Sequence, residues 1–172
     1  GAGTFLPVKS SLVSEHTMHR EPFVVTADFL RRLIAHQGKL VAVGTTSVRT
    51  LESLYYIGVN CIEKGYPHDV GQWDPYIRSY GYSLTEALNA IISYMDAKGL
   101  DQLQAGTRII IVPGYDFKIV DVLVTNFHQP QSTLLLLISA FLKGEWKQVY
   151  DYALGNDFRF LSYGDSSILF RE

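Results

Sequence analysis

The stretch Leu40-Val41-Ala42-Val43-Gly44-Thr45-Thr46-Ser47 decides the fold class, because an apolar strand pattern runs here through a glycine into the start of a helix. Four consecutive apolar residues are typical of a strand buried in a parallel sheet. After Ser47 the apolar residues recur at helical spacing, at positions 48, 51, 54 and 55. A buried strand that leads directly into a helix predicts an α/β protein.

Helix and strand patterns also alternate before and after this stretch. Phe23-Val24-Val25 predicts a short strand, and Thr26 caps a predicted helix that ends at about His36. Residues 58–82 predict a long polar and aromatic connection. Ser83-Leu84-Thr85-Glu86 then forms a capping box, which predicts a helix near 84–98.

The remaining third of the chain adds strands and two helices. We predict strands at 108–112 and 117–125, a fully buried helix at 133–141, an amphipathic helix that ends at Gly155, and a strand pair within 158–170. The predicted fold is therefore α/β, with a mixed, largely buried sheet flanked by helices.

The composition is that of an ordinary globular protein. Of the 172 residues, 47% are hydrophobic and 19% are charged, and the formal net charge is −2. A chain this close to neutrality has no overall basic field to attract nucleic acid, so RNA binding would need a local basic patch. Cys61 is the single cysteine, which fits a reducing compartment and a cytoplasmic location.

Hydroxyl groups cluster at the predicted helix start after the buried strand. Thr45, Thr46 and Ser47 combine hydroxyls with free backbone N–H groups, which together bind phosphate or carboxylate. The glycine-rich loop and lysine of a P-loop are missing, so nucleoside triphosphate binding is not indicated. The alternative is a plain helix cap.

A second polar cluster follows the predicted strand 117–125. Asn126 and His128 lie in the loop, and Ser132-Thr133 opens the buried helix. Ligands of α/β sheets bind beyond the carboxyl ends of strands, and histidine can transfer protons near neutral pH. The alternative is that Asn126 and His128 only hydrogen-bond the loop backbone.

A third cluster, "EHTMHRE", spans residues 15–21. In an extended segment Glu15, His19 and Glu21 share one face, whereas His16 lies on the other. These groups suit acid–base chemistry or ligand hydrogen bonding. The spacing matches no zinc-protease motif, so no metal is predicted, and a solvated polar strand is the alternative.

Tyr163-Gly164-Asp165 predicts a tight turn. Tyr163 could stack on a base, and Asp165 could accept a hydrogen bond from a ribose or an amine. In isolation the same three residues form an ordinary turn.

In order along the chain, these motifs resemble the S-adenosylmethionine:tRNA ribosyltransferase-isomerase family of queuosine biosynthesis. The matching blocks are "GAGTF-P" (1–7), "EH-MH-E" (15–21), "AVGTTSVRTLES" (42–53), "PGY-F--VD-L-TNFH-P-STLL" (113–135), "SAF" (139–141) and "RF-SYGD" (159–165). The resemblance covers most of the chain outside residues 55–107.

The resemblance implies a specific reaction. The family transfers and isomerises the ribosyl group of S-adenosylmethionine onto 7-aminomethyl-7-deazaguanine in the tRNA anticodon loop, which gives epoxyqueuosine. It implies no metal and no cofactor beyond the co-substrate S-adenosylmethionine.

The resemblance also suggests roles for the residues of the motifs. Glu15, His16, His19, Glu21 and His128 are the candidate acid–base residues. The candidate binding residues are Thr45, Thr46, Ser47, Arg49, Asn126, Ser132, Thr133, Tyr163 and Asp165. Among them, Thr45, Thr46, Ser47 and Arg49 would hold a carboxylate or a tRNA phosphate.

Two departures from the family pattern leave other functions open. The family carries a large region before "GAGTF", so we expect residues 1–172 to be the C-terminal part of the catalytic domain, weak or inactive alone. Residues 55–107 are predicted to be an atypical insertion. The alternatives are therefore a related enzyme with a small-molecule acceptor, or an inactive fragment.

Overall fold

The computed structural model describes residue 13 and residues 16–171 of the chain. These residues divide into two compact units. The first, called here the helical unit, comprises Met18–Gly38 and Arg49–Ile109. The second, the sheet unit, is built mainly from Lys39–Val48 and Ile110–Glu172.

The helical unit contains four helices and a two-stranded antiparallel sheet. Its elements are β1 (Glu21–Thr26), α1 (Ala27–Ala35), α2 (Thr45–Lys64, of which 45–48 are counted with the sheet unit), α3 (Asp74–Ile77), α4 (Leu84–Lys98) and β3 (Gln102–Thr107). Strand β1 pairs with β3, with Glu21 opposite Thr107.

The helix ends of this unit follow the sequence signals. The Thr26 hydroxyl accepts a hydrogen bond from the backbone N–H of Phe29 at 3.1 Å, which caps α1. Ser83 and Glu86 form the predicted capping box, and Gly99 ends α4 in the left-handed conformation. The predicted strand at 23–25 and the helix near 84–98 are therefore confirmed.

Two sequence predictions in the helical unit are wrong. The connection expected at 58–82 is shorter, because α2 continues to Lys64 with buried side chains such as Val59. The strand expected at 108–112 lies at Gln102–Thr107, where β1 supplies a hydrogen-bonding partner. Ile109, Ile110 and Ile111 are fully buried outside any strand, so their apolar run reflects burial rather than sheet pairing.

The sheet unit contains a three-stranded sheet and two helices. Its elements are β2 (Val41–Val43), β4 (Val122–Asn126), α5 (Thr133–Phe141), α6 (Trp146–Gly155) and β5 (Ser166–Phe170). The strand order is β2-β4-β5. Strand β4 pairs in parallel with β2 and antiparallel with β5. The predicted α/β fold is confirmed, with the strands divided between two sheets.

Only one face of this three-stranded sheet is fully buried. Ala42, Leu123 and Leu169 are aligned across the three strands and are 2%, 0% and 6% exposed. Val41 and Val43 point the other way and are 53% and 69% exposed. The apolar run of β2 predicted burial on both faces, and this prediction is wrong for the face that carries these two valines.

The strands near the C-terminus are shorter and paired differently from the sequence prediction. The strand expected at 117–125 is confined to Val122–Asn126. The strand pair expected within 158–170 is a 3₁₀ turn at Leu161–Tyr163 and the single strand β5. Because β5 has β4 as its partner, no local hairpin is needed.

Two further observations bear on the organisation of the chain. Among the described helices, none is long and apolar enough to cross a membrane. The helical unit contains residues 55–107 together with flanking segments. That residues 55–107 are an atypical insertion stays a prediction.

The close contact between α2 and α4 in the helical unit can be tested by mutation. A Cβ atom added to Gly58 would lie 2.2 Å from the carbonyl oxygen of Ala87. Alanine normally stabilises a helix relative to glycine by about 1 kcal/mol. Here we expect Gly58→Ala to lower the free energy of unfolding by about 1–3 kcal/mol, because the helices must separate.

Urea denaturation measures this change, and Gly81→Ala is the matched control. Gly81 has no atom within 4 Å of an added Cβ, so its replacement should change stability by less than about 0.5 kcal/mol. A Gly58→Ala variant more stable than the parent would show that the two helices tolerate a methyl group.

Candidate functional site

The parallel pairing of β2 and β4 places their carboxyl ends at the same edge of the sheet. A cavity of about 230 Å³ opens at this edge. It is lined by Val43, Gly44, Thr45, Thr46, Ser47, Thr125, Asn126, His128, Leu134, Leu161 and Ser162. We call it the sheet-edge pocket, and its position is the usual ligand position in α/β sheets.

The start of α2 forms one wall of the sheet-edge pocket. Gly44, with a φ of 87°, allows the chain to turn from β2 into the helix, and its N–H donates to the carbonyl of Val124 at 2.8 Å. No acidic residue occupies the first turn of α2. The partial positive charge of the helix N-terminus is therefore available to an anionic group in the pocket.

Ser47 uses its hydroxyl within the chain. Its Oγ donates to the carbonyl oxygen of Val43 at 2.7 Å, a bond one turn back that ties the helix start to the end of β2. Thr45 is buried and Thr46 is half-buried, and both line the pocket. The three residues predicted to hold an anion thus all line the pocket, with the Ser47 hydroxyl already hydrogen-bonded within the chain.

His128 lies in the opposite wall and is held at both its side chain and its backbone. Its Nε2 is 3.0 Å from Oγ1 of Thr125, and its backbone N–H donates to the hydroxyl of Tyr150 at 2.9 Å. The Tyr150 ring packs edge-on against Phe127 and Trp146, with each pair of ring centroids 5.5 Å apart. This packing fixes the loop that follows β4.

Burial lowers the pKa of His128 to about 4, because the charged imidazolium loses its hydration. The ring is therefore neutral at pH 7. Such a weak base is a poor proton acceptor at this pH, so the environment favours a hydrogen-bonding role for His128 in the pocket.

Asn126 and Asp165 organise the segment that leads into β5. The Asn126 side-chain amide lies 3.4 Å from both the Asp165 carbonyl and the Ser166 hydroxyl. The Asp165 carboxylate accepts from the backbone N–H of Arg159 at 2.8 Å, and this bond and the Arg159 guanidinium lower its pKa. Asp165 thus closes the 159–165 turn and is not among the described residues that line the pocket.

The other predicted binding residues have different positions. Ser132 caps α5, since its Oγ accepts from the N–H of Leu135 at 3.2 Å and donates to the Gln129 carbonyl at 2.8 Å. Ser132, Thr133 and Arg49 are absent from the described lining of the pocket. The side chain of Tyr163 lies outside the described residues.

Thr125 and Ser162 line the pocket although the sequence analysis did not select them. Thr125 could have been found, because it precedes Asn126 at the carboxyl end of the predicted strand. Ser162 lies in the block "RF-SYGD" but was not selected, because its approach to the pocket depends on distant contacts such as the bond from Leu161 N–H to the Phe127 carbonyl, 2.9 Å long.

The "EHTMHRE" segment leads into a buried ion pair in the helical unit. Glu21 Oε1 lies 2.8 Å from His19 Nε2 and 2.9 Å from Arg49 Nη1. Burial lowers the pKa of Arg49, and the Glu21 carboxylate opposes that effect. Breaking such a pair by removing one partner typically costs about 3–5 kcal/mol.

Two further candidates of this segment are Glu15 and His16. Glu15 lies outside the described residues. His16 is half-buried and takes part in interactions of its own. Within residues 16–171, no group of three histidine, cysteine or acidic side chains is arranged to hold a metal ion.

The fold and the sheet-edge pocket define a class: an α/β protein with a cavity beyond the carboxyl ends of parallel strands and a helix N-terminus in its wall. A family model described as queuosine biosynthesis protein matches residues 1–169. The chain belongs to this family.

Curated relatives match the whole chain. It is 41% identical over 176 aligned positions to the S-adenosylmethionine:tRNA ribosyltransferase-isomerase of Caulobacter vibrioides, with 100% of this chain and 37% of the relative covered. The protein of the same name from Allorhizobium ampelinum is 40% identical and is covered to 39%. The chain therefore spans less than two fifths of the length of these relatives.

A solved structure supports the same relationship. The crystal structure of the S-adenosylmethionine tRNA ribosyltransferase of Thermotoga maritima matches with a TM-score of 0.56 and 28% sequence identity. The match covers 86% of this chain and 39% of that protein.

The neutral, buried state of His128 predicts a pH dependence of stability. Its pKa is about 4 in the folded chain and near 6.5 when unfolded, so the unfolded chain binds more protons between these values. Stability should therefore fall as the pH drops from 6.5 towards 4. The loss should reach roughly 3 kcal/mol, at about 1.36 kcal/mol for each pKa unit.

Urea denaturation at several pH values checks this for the parent and for His128→Gln. The variant should lose less stability than the parent over the same pH range, because Gln does not titrate. His36→Gln, at an exposed histidine, is the control for the general effect of replacing a histidine. Equal pH dependence in the parent and His128→Gln would contradict a neutral, buried His128.

Proposed function

We propose that the polypeptide containing this chain is an S-adenosylmethionine:tRNA ribosyltransferase-isomerase of queuosine biosynthesis. The observation that carries the proposal is the identity of about 40%, over the whole chain, with proteins of that name. The proposed reaction transfers and isomerises the ribosyl group of S-adenosylmethionine onto 7-aminomethyl-7-deazaguanine in tRNA. Epoxyqueuosine, adenine and methionine are the products.

The sheet-edge pocket suits the methionine part of S-adenosylmethionine. Its volume of about 230 Å³ is below the roughly 300–1,000 Å³ of typical small-molecule sites, so it would hold part of the ligand. The α-carboxylate would bind at the N-terminus of α2, beside Thr45 and Thr46. A carboxylate there accepts backbone N–H bonds and interacts favourably with the helix dipole.

The opposite wall would orient the rest of the ligand. His128, which is neutral at pH 7, can donate or accept a hydrogen bond without placing a positive charge next to the sulfonium. Asn126 and Ser162 offer further polar groups at the pocket surface. Such groups fix the orientation of a ligand. The proton transfers are assigned to other residues.

The acid–base groups are proposed to come from the "EHTMHRE" segment. His16, His19 and Glu21 remain the described candidates, and Glu15 remains a candidate on sequence alone. Arg49 supports Glu21 through the buried ion pair, so in this proposal it acts inside the protein and does not bind the carboxylate or phosphate directly.

The partners in this proposal are S-adenosylmethionine and the tRNA anticodon loop, which implies a cytoplasmic location. The reaction as proposed uses no metal and no cofactor beyond the co-substrate. A net charge of −2 gives the chain no general attraction for RNA, so tRNA contacts would be local or supplied by the rest of the polypeptide.

Mass spectrometry tests the function directly. An anticodon stem-loop carrying the aminomethyl-deazaguanine is incubated with S-adenosylmethionine and the longest natural polypeptide that contains this chain. We expect a mass gain on the RNA and an equal amount of free adenine. Adenine release that needs no RNA would favour a small-molecule acceptor. A folded polypeptide that binds S-adenosylmethionine but modifies no RNA would refute the proposal.

Replacing Thr46 tests the role of the sheet-edge pocket. Thr46→Val removes a hydroxyl and keeps the side-chain shape, so we expect the KM for S-adenosylmethionine to rise about 10-fold, the scale of one hydrogen bond to a charged group. Steady-state kinetics measure the change. Thr85→Val, at an exposed position in the first turn of α4, is the control and should leave the KM unchanged.

A further inference from the structure

His19, Glu21 and Arg49 form a hydrogen-bonded array in the helical unit. The Nε2 atom of His19 and the Nη1 atom of Arg49 both lie within 2.9 Å of the same carboxylate oxygen, Oε1 of Glu21. The Glu21 and Arg49 side chains are 8% and 5% exposed, whereas that of His19 is 38% exposed. Arg49 is therefore the buried cation of the array and Glu21 the buried anion, whereas the imidazole of His19 is accessible to solvent.

The array determines which nitrogen of His19 carries the proton. A carboxylate only accepts hydrogen bonds, so Nε2 must donate to Glu21 Oε1. In the neutral imidazole Nδ1 is then the acceptor, and it has no hydrogen bond to any described residue. A histidine held by a carboxylate in this way is oriented to take up a proton at its other nitrogen.

Neighbouring contacts fix the backbone on both sides of His19. The N–H of Met18 donates to the side chain of Gln72 at 2.9 Å, and Met18 is buried. Arg20 pairs with Asp69 through two hydrogen bonds of 2.5 and 3.1 Å, and its guanidinium covers Gly106. His19 is thus held in place by contacts on both sides, as precise proton transfer requires.

The buried end of the array is also anchored. Nε of Arg49 donates to the carbonyl of Ile109 at 2.9 Å. Glu21 Oε2 and Arg49 Nη2 are nevertheless buried without a hydrogen-bond partner among the described residues. The paired oxygen, Oε1, is the one shared by His19 and Arg49, so both contacts hold the carboxylate at the same atom.

We infer that His19 is the proton acceptor of the reaction, through Nδ1, and that Glu21 and Arg49 are positioning residues that hold it in the Nε2–H form. In that step a substrate–hydrogen bond breaks, its proton forms a bond to Nδ1, and the electron pair stays on the substrate atom. The imidazolium so formed is stabilised by the Glu21 carboxylate. This inference rests on the proposed ribosyl transfer and assigns the acceptor among its candidate residues.

The first experiment measures turnover and chemical rescue in the longest natural polypeptide that contains the chain. His19→Ala should lower kcat by about 10², the usual scale for a lost general base, with little change in the KM for S-adenosylmethionine. Added imidazole should raise the kcat of His19→Ala at least about 10-fold. A merely structural defect would show no such rescue. His36→Ala is the matched control and should behave like the parent.

The second experiment reads the tautomer without any substrate. Nitrogen NMR of ¹⁵N-histidine-labelled protein should show the neutral His19 ring protonated at Nε2, assigned by its disappearance in His19→Ala. Glu21→Leu removes the acceptor that holds the proton on Nε2, so a measurable share of the ring should then carry it on Nδ1. The double variant Glu21→Leu with Arg49→Met removes both buried charges, so it should recover stability and still show both tautomers.

These outcomes separate the inference from the proposed function. An inactive parent whose His19 ring is protonated only at Nε2, with both tautomers present in Glu21→Leu, would count against ribosyl transfer and leave the array confirmed. An active parent with undiminished turnover in His19→Ala, or without imidazole rescue, would overturn the proton-acceptor role. A ring protonated at Nδ1 in the parent would overturn the array itself.

Discussion

The parallel pairing of β2 with β4 is the constraint on which the sheet-edge pocket depends. It places the start of α2 beside the loop that follows β4, although the two are about 80 residues apart in the chain. The bond from Gly44 N–H to the Val124 carbonyl, 2.8 Å long, joins the strands at this end. A helix N-terminus with no acidic residue then faces a polar loop. Any slip of this register would separate the hydroxyls of Thr45 and Thr46 from His128.

Polar groups are buried in two physically different ways in the two units. In the sheet unit burial keeps His128 neutral, with Thr125 and Tyr150 satisfying its side chain and backbone. In the helical unit burial is tolerated for full charges, because Glu21 and Arg49 neutralise each other. The first arrangement suits recognition of a ligand, and the second suits orientation of a group that must change its charge.

Local signals predicted the elements that are stabilised locally. The cap at Thr26, the capping box at Ser83 and the predominantly apolar helix α5 were all predicted from the sequence, because hydrogen bonds and periodicity within a few residues determine them. The strands were predicted less well. Residues 108–112 have a strand-like composition, but β1 pairs with Gln102–Thr107, and a strand requires a partner as well as a suitable sequence.

By itself the sequence determined the α/β class, the family, and the segments that carry polar chemistry, since these depend on residue type and short spacing. Only the tertiary structure decided which of those residues share a pocket. It brought Thr125 and Ser162 into the pocket, used Ser132 as a helix cap, and joined Arg49 to Glu21. The reason is physical: hydrogen bonds and burial between distant segments exist only after the strands have paired and the core has closed.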